Sequence, residues 1–374
     1  MATTLVRCRE IVRKVSVIAL KYQFDNCMSQ GFRAQSTVAR SLVYPEYGEP
    51  SKVIQQLEQP LAAPKDNEVV LRMLAAPVNP ADINTIQGAY PLKPPLPAVA
   101  GNEGVGEVVA TGSAVKALCV GDRVVPKHTG WGTWRTHALC REDDLIKISK
   151  KLGIIEAATL TVNPCTAYRM LKDFVKLKPG DTVIQNAGNS ACGQYVIQLC
   201  KVWGLRSINI VRNRAKIDEL KCFLTDLGAT HVITEEETKK LDLFKSGTEP
   251  KPKLALNAVG GKNAMEMLRH LDNGGYMVTY GGMSREPVML PTSALIFKDI
   301  RCVGYWMSRW SKINVDSDER RRMFDELIGL MVAKQLKAPL HTVIPFTQFQ
   351  EALSNTINPK GFAGTKYILD FQCQ

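Results

Sequence analysis

The sequence predicts an α/β protein in which a doubly wound parallel sheet stands beside a β-rich unit. Three observations carry that prediction. Residues 181–214 read strand, small-residue turn, helix, strand; strands then alternate with helices to about residue 334; and before residue 150 short strands are separated by Gly, Pro and Asn instead. A chain of 374 residues has room for two such parts and a sizeable core.

The chain opens on a basic leader, expected to span residues 1–38. Residues 1–40 hold seven Lys or Arg against only Glu10 and Asp25, so much of the net charge of +12 sits there. A basic, acid-poor segment with Ser and Thr is what an organelle transit peptide looks like. Its longest apolar run, Val15–Leu20, is too short to span a bilayer, and no membrane insertion is expected. The remaining basic residues are dispersed, and Arg320-Arg321-Arg322 reads as a solvated helix face. A nucleic-acid-binding role, the reading that pI 9.2 invites, lacks the basic patch with interleaved aromatics that it needs. Ten cysteines without C-x-x-C spacing argue against a disulfide framework or a zinc ribbon and for buried thiols in a reducing compartment.

From Ser41 to about Ser149 the expected strands are Glu68–Leu74, Gly104–Thr111, Arg123–Pro126, Thr133–Leu139 and Leu145–Ile148, with a short helix at Ala81–Gln87. One helix from about Ile155 to Phe174 is expected to lead into the βαβ unit. Strands follow at His231–Thr234, Leu254–Val259, Tyr276–Tyr280 and Arg301–Trp306, and a helix at about Glu319–Lys334. The β-rich tail, Val343–Pro345 and Thr365–Phe371, is expected to return to the first unit. The division is therefore 39–160, 161–335 and a returning 336–374.

The turn between Gln185 and the helix carries the first chemistry. It lacks a strict G-x-G-x-x-G, but Ala187, Ser190 and Gly193 stand where small residues belong, and the order of elements is that of a dinucleotide site. A helix N-terminus there offers backbone N–H groups to a pyrophosphate. The second strand ends in Arg212-Asn213-Arg214, with no acid before Asp218. Guanidiniums suit a ribose 2′-phosphate, so NADPH is the expected cofactor.

Longer strings narrow the reading: Asn79-Pro80-Ala81-Asp82-Ile83-Asn84, Gly101-Asn102-Glu103-Gly104, Gly132-Thr133-Trp134-Arg135-Thr136, Asn163 through Arg169, Tyr280-Gly281-Gly282-Met283 and Ile296-Phe297-Lys298-Asp299. Together they resemble the mitochondrial enoyl thioester reductases, in the zinc-free, quinone oxidoreductase-like branch of the medium-chain dehydrogenase/reductase superfamily. That resemblance implies a Rossmann cofactor domain, a GroES-like catalytic domain, a matrix location and a homodimer. It also implies an enoyl thioester substrate carried on acyl-carrier protein or CoA. It places a proton-donating tyrosine at Tyr90; a phenol of ordinary pKa about 10 is protonated at neutral pH and suits a general acid. It places cofactor contacts at Asn163, Asn189, Ser190, Ala191, Cys192, Arg212, Asn213, Arg214, Tyr280, Gly281, Gly282, Met283, Tyr305, Trp306, Met307, Ser308 and Lys366. Ala191-Cys192 depart from the Gly-Val of relatives. Without the resemblance, Lys366 reads as a surface lysine and Tyr305-Trp306 as packing.

Zinc alcohol dehydrogenases share the scaffold, but Asn79-Pro80-Ala81-Asp82 and Gly101-Asn102-Glu103 lack the Cys and His that zinc requires, so no metal is expected. Tyr168 and Lys172 match the Y-x-x-x-K of short-chain dehydrogenases but precede the nucleotide turn, the wrong order for that family. No G-x-S-x-G occurs. NADPH quinone reduction is the remaining enzymatic alternative, and it would need no proton donor at Tyr90.

Overall fold

The computed structural model describes residues 38–244, 246–357 and 364–372; the leader lies outside them apart from Val38. In chain order the first strands are β1 (Val38–Tyr44), β2 (Gln55–Pro60), β3 (Glu68–Pro77), β4 (Ala98–Val99), β5 (Val105–Thr111), β6 (Arg123–Pro126), β7 (His137–Arg141) and β8 (Leu145–Lys147). Then come β9 (Thr182–Gln185), β10 (Arg206–Val211), β11 (His231–Thr234), β12 (Leu254–Asn257), β13 (Tyr276–Thr279), β14 (Arg301–Gly304), β15 (His341–Pro345) and β16 (Lys366–Asp370).

Six of these form one parallel sheet in the order β11-β10-β9-β12-β13-β14. The chain lays β9, β10 and β11 outward in one direction, then crosses to β12 and continues the other way. The reversal lies between β9 and β12, where a doubly wound sheet opens a crevice at its carboxyl ends. Val183, Ile184, Leu254, Ala255 and Leu256 are fully buried, as strands covered on both faces must be.

The β-rich part contains a seven-stranded sheet in which β15, β16, β3, β5, β6 and β8 follow one another and β7 pairs with β3. Strand β16 runs antiparallel to β3, so the tail does rejoin the first part. Strands β1, β2 and β4 form a separate small sheet.

Two elements differ from expectation. The helix expected over 155–174 is two helices, Ile154–Ala158 and Asn163–Asp173. Pro164, in the first turn of the second, lacks the N–H that a continuous helix would use. The strand expected at Thr133–Leu139 forms at His137–Arg141. Trp134 is instead fully buried, its Nε1 donating to the Pro77 carbonyl at 3.1 Å.

Candidate active site

The nucleotide turn follows β9 directly. Ala187 takes a left-handed backbone (φ 50°), which reverses the chain, and Ser190 caps the helix Ala191–Val202 by accepting from Gly193 N at 3.1 Å. Gly193 has no substitute: a Cβ there would lie 2.6 Å from the Gly188 carbonyl oxygen and 2.7 Å from that of Ala187. Ala191 occupies the first helical position and is partly exposed, while Cys192 is buried beneath it. Burial pushes the Cys192 thiol up to about 12, which makes it a poor nucleophile.

Several other expected cofactor residues lie just beyond the carboxyl ends of strands of the parallel sheet. Arg212, Asn213 and Arg214 follow β10; Arg212 and Asn213 are exposed, and Arg214 Nε donates to the Arg212 carbonyl at 3.2 Å. Burial, then the neighbouring Arg212 charge, lower the Arg214 pKa. Two guanidiniums held together against their repulsion suit an anion. Tyr280-Gly281-Gly282-Met283 follows β13, where Gly282 faces open space and Met283 is exposed. The Tyr280 hydroxyl is enclosed without a hydrogen-bond partner at bonding geometry, beside Ser190 and Cys192, and burial raises its pKa well above the ordinary value. An orphaned hydroxyl at a helix N-terminus, a capped turn and an arginine pair fit a dinucleotide carrying an extra phosphate.

Tyr90 and Trp306 meet across 216 residues of chain. Trp306, after β14, donates from Nε1 to the Tyr90 hydroxyl at 2.6 Å, and the rings stand edge to face 5.8 Å apart. Both are half-buried. Tyr305, by contrast, turns toward Phe174, and its hydroxyl lies 3.1 Å from the Met307 sulfur. Met307 is buried in the same cluster and Ser308 is half-buried next to it.

Beneath the site lies a buried polar network in which Asn79, Asp82, Asn102 and Glu103 were quoted from the sequence without a role. Asp82 Oδ1 accepts from Asn102 N (2.9 Å) and Nδ2 (2.6 Å), and its Oδ2 from Asn79 N (2.7 Å). Glu103 accepts from Asn79 Nδ2 at 2.8 Å, Val162 N at 3.1 Å and Thr161 Oγ1 at 3.3 Å. Lys366 is 6% exposed, against the surface position its residue type suggested, and its Nζ donates to Asn79 Oδ1. Asn163 Nδ2 reaches the same oxygen at 3.4 Å. Burial pushes Asp82 up to about 7, with Glu103 repulsion adding to it and Lys366 opposing. Burial likewise raises Glu103 and lowers Lys366, each held back by the other's charge. The signal was an Asn, Asp, Asn and Glu in two short strings that directly follow apolar runs, Leu74–Val78 and Ala98–Ala100.

Tyr168 and Lys172 are accounted for structurally. The Tyr168 hydroxyl donates to Glu326 at 2.6 Å, and Lys172 lies 4.1 Å over the Trp203 ring.

A family model described as alcohol dehydrogenase GroES-like domain matches residues 65–150, and one described as zinc-binding dehydrogenase matches residues 191–326. The mitochondrial enoyl-[acyl-carrier-protein] reductase of Xenopus tropicalis is 50% identical over 339 residues, covering 89% of this chain and 96% of that protein. The Homo sapiens protein of the same name is 49% identical over 339 residues, covering 90% of each. The chain belongs to the mitochondrial enoyl-[acyl-carrier-protein] reductase family. Within that family's fold the solved neighbours include the Etr1p/NADP/crotonyl-CoA complex, with TM-score 0.83 and 35% identity over 89% of this chain and all of that one. The Etr1p/Etr2p heterodimer from Candida tropicalis aligns with TM-score 0.82 at 35% identity and the same coverage. A Bacillus thuringiensis protein described as a putative NADPH:quinone reductase aligns at 0.78 and 26% identity, covering 90% of this chain and 99% of that one.

The zinc of the second description does not suit these reductase-family residues. No group of three His, Cys, Asp or Glu among the described residues could hold a metal. The carboxylates nearest the crevice, Asp82 and Glu103, already accept protein donors on both oxygens.

Proposed function

We propose that this protein reduces trans-2-enoyl thioesters to saturated acyl thioesters with NADPH and without a metal, as a mitochondrial matrix enzyme of fatty-acid synthesis. The observation that carries the reading is the Trp306–Tyr90 hydrogen bond, which holds a phenol at the carboxyl edge of the parallel sheet. The helix N-terminus at Ser190–Cys192 takes the pyrophosphate, with Asn189 on the same turn. Arg212 and Arg214, with Asn213 between them, take the 2′-phosphate. Asn163, Tyr280–Met283, Trp306 and Ser308 line the crevice, and Lys366 with Asn79 fixes the amide of Asn163.

Bound NADPH supplies the hydride, to the β-carbon. Tyr90 gives its phenolic proton to the α-carbon, and the Trp306 N–H stays on the oxygen that has become charged. NADPH oxidation by trans-2-enoyl thioesters of several lengths, beside a soluble quinone, tests this. Turnover with quinone alone would favour the quinone reductase reading, whose chemistry does not need Tyr90.

Relatives are named mitochondrial, and the basic leader supports the same location here. A fusion of residues 1–45 that stays cytosolic would contradict it. A homodimer is supported by the open edge of β14 beside Ile296 and Phe297, which are 66% and 79% exposed. A monomeric mass by light scattering at micromolar concentration would refute that.

A further inference from the structure

Three segments ring the Tyr90–Trp306 pair. Residues 90–97 run on from Tyr90, and Leu92 lies close over Gly130, where an added Cβ would stand 2.6 Å from Leu92 Cδ2. The loop 127–132 that holds Gly130 is tied to the third segment by Lys127 Nζ, which pairs with Asp316 at 2.6 Å, and to the following helix, Asp318–Val332, where Arg320 donates to the Lys127 carbonyl at 2.7 Å. That third segment is the helix Met307–Ile313 and its end, which starts directly after Trp306.

Within these three segments cations outnumber carboxylates, and the carboxylates just beyond the third, Asp318 and Glu319, pair with Arg321 and Arg169. The segments 90–97, 127–132 and 307–316 carry Lys93, Lys127, Arg309 and Lys312 against one carboxylate, Asp316, which Lys127 already neutralises. Lys93, Arg309 and Lys312 are exposed. Lys93 hangs over the Tyr47 ring at 5.8 Å, and Arg309 and Lys312, three residues apart, share one helix face. Beside them Ile313 is 70% exposed, an apolar anchor within a cationic surround.

We propose that Lys93, Arg309 and Lys312, around Ile313, form the docking surface for an acidic carrier protein that delivers the enoyl thioester to Tyr90. The proposal rests on the enzymatic reading above and names its macromolecular partner. Cations on long stems, spread over separate segments outside the crevice, suit an extended acidic surface better than a single phosphate. Such a surface steers association and lowers KM for the carried substrate, and it leaves the chemical step alone.

The test compares wild type with the Arg309→Glu/Lys312→Glu double variant and with Lys93→Glu. The same enoyl group is presented on acyl-carrier protein, on CoA and on uncharged N-acetylcysteamine. The double variant should lose about tenfold or more in kcat/KM with the carrier, chiefly through KM, and the carrier rate should lose its salt dependence. With N-acetylcysteamine its kcat/KM should stay within about twofold, which also shows that the variant is folded. Unchanged kcat/KM with the carrier would overturn the docking surface, and so would equal loss on all three thioesters. Loss as large with CoA as with the carrier would assign the cations to CoA phosphates and overturn it too. If wild type oxidised NADPH with none of the thioesters, the enzymatic reading would fail first and take the docking with it.

Discussion

Trp306→Phe removes the hydrogen bond on which the site depends. The substitution keeps an aromatic ring where one now stands edge-on to Tyr90, 5.8 Å away, and removes the Nε1–H, whose nitrogen lies 2.6 Å from the phenolic oxygen, together with part of the indole. Between neutral partners such a bond contributes about 1 kcal/mol, and to a charged partner about 1.5–3 kcal/mol. Tyr90 is neutral before proton transfer and anionic after it, so only the difference, about 0.5–2 kcal/mol, acts on the barrier. That converts to roughly a two- to thirtyfold lower kcat. Steady-state NADPH oxidation should show kcat and kcat/KM falling together, with KM nearly unchanged, because the lost interaction strengthens only on the way to the transition state. NADPH affinity, measured by calorimetry, should stay within about threefold. Full kcat, or a loss confined to KM, would refute the reasoning.

Three further outcomes follow from the same geometry. Arg212→Ala/Arg214→Ala should reduce the NADPH-over-NADH preference about tenfold to a hundredfold, from the 1.5–3 kcal/mol of a charged hydrogen bond; comparing kcat/KM for the two cofactors checks it. Gly193→Ala forces a methyl into backbone oxygens at 2.6–2.7 Å and should cost about 1–3 kcal/mol in stability, read as a lower Tm. Asp82 titrates near 7 when folded and near its ordinary 3.8 when unfolded, so between those values the folded state keeps a proton that the unfolded chain has lost. Stability should therefore fall as pH rises through that window, by about 1.4 kcal/mol per pH unit while the states differ by one proton; thermal melts should show Asp82→Asn flatter than wild type between pH 4 and 7.

What the sequence made legible was local. Strands such as Val183-Ile184 and Leu254–Asn257 announce themselves because both faces are covered, and Arg212-Asn213-Arg214 because it ends such a strand. The helix break at 159–162 was also written locally, in Pro164, but helical spacing on both sides masked it. What could not be read depends on long-range register. Lys366 is buried only because β16 joins the edge of β3 and carries its ammonium to Asn79, 287 residues away. Tyr90 and Trp306 come together only when the β-rich part folds against the end of β14. Asp82 and Glu103 had no role legible in the sequence until their donors, Asn79, Asn102 and Val162, were in place.

The most direct measurement is the turnover of Tyr90→Phe with NADPH and a trans-2-enoyl thioester. Removing one oxygen leaves the ring against Trp306, and kcat should drop by about a hundredfold or more, the scale of a lost general acid, with NADPH binding retained. A variant that turns over as fast as wild type would contradict the account.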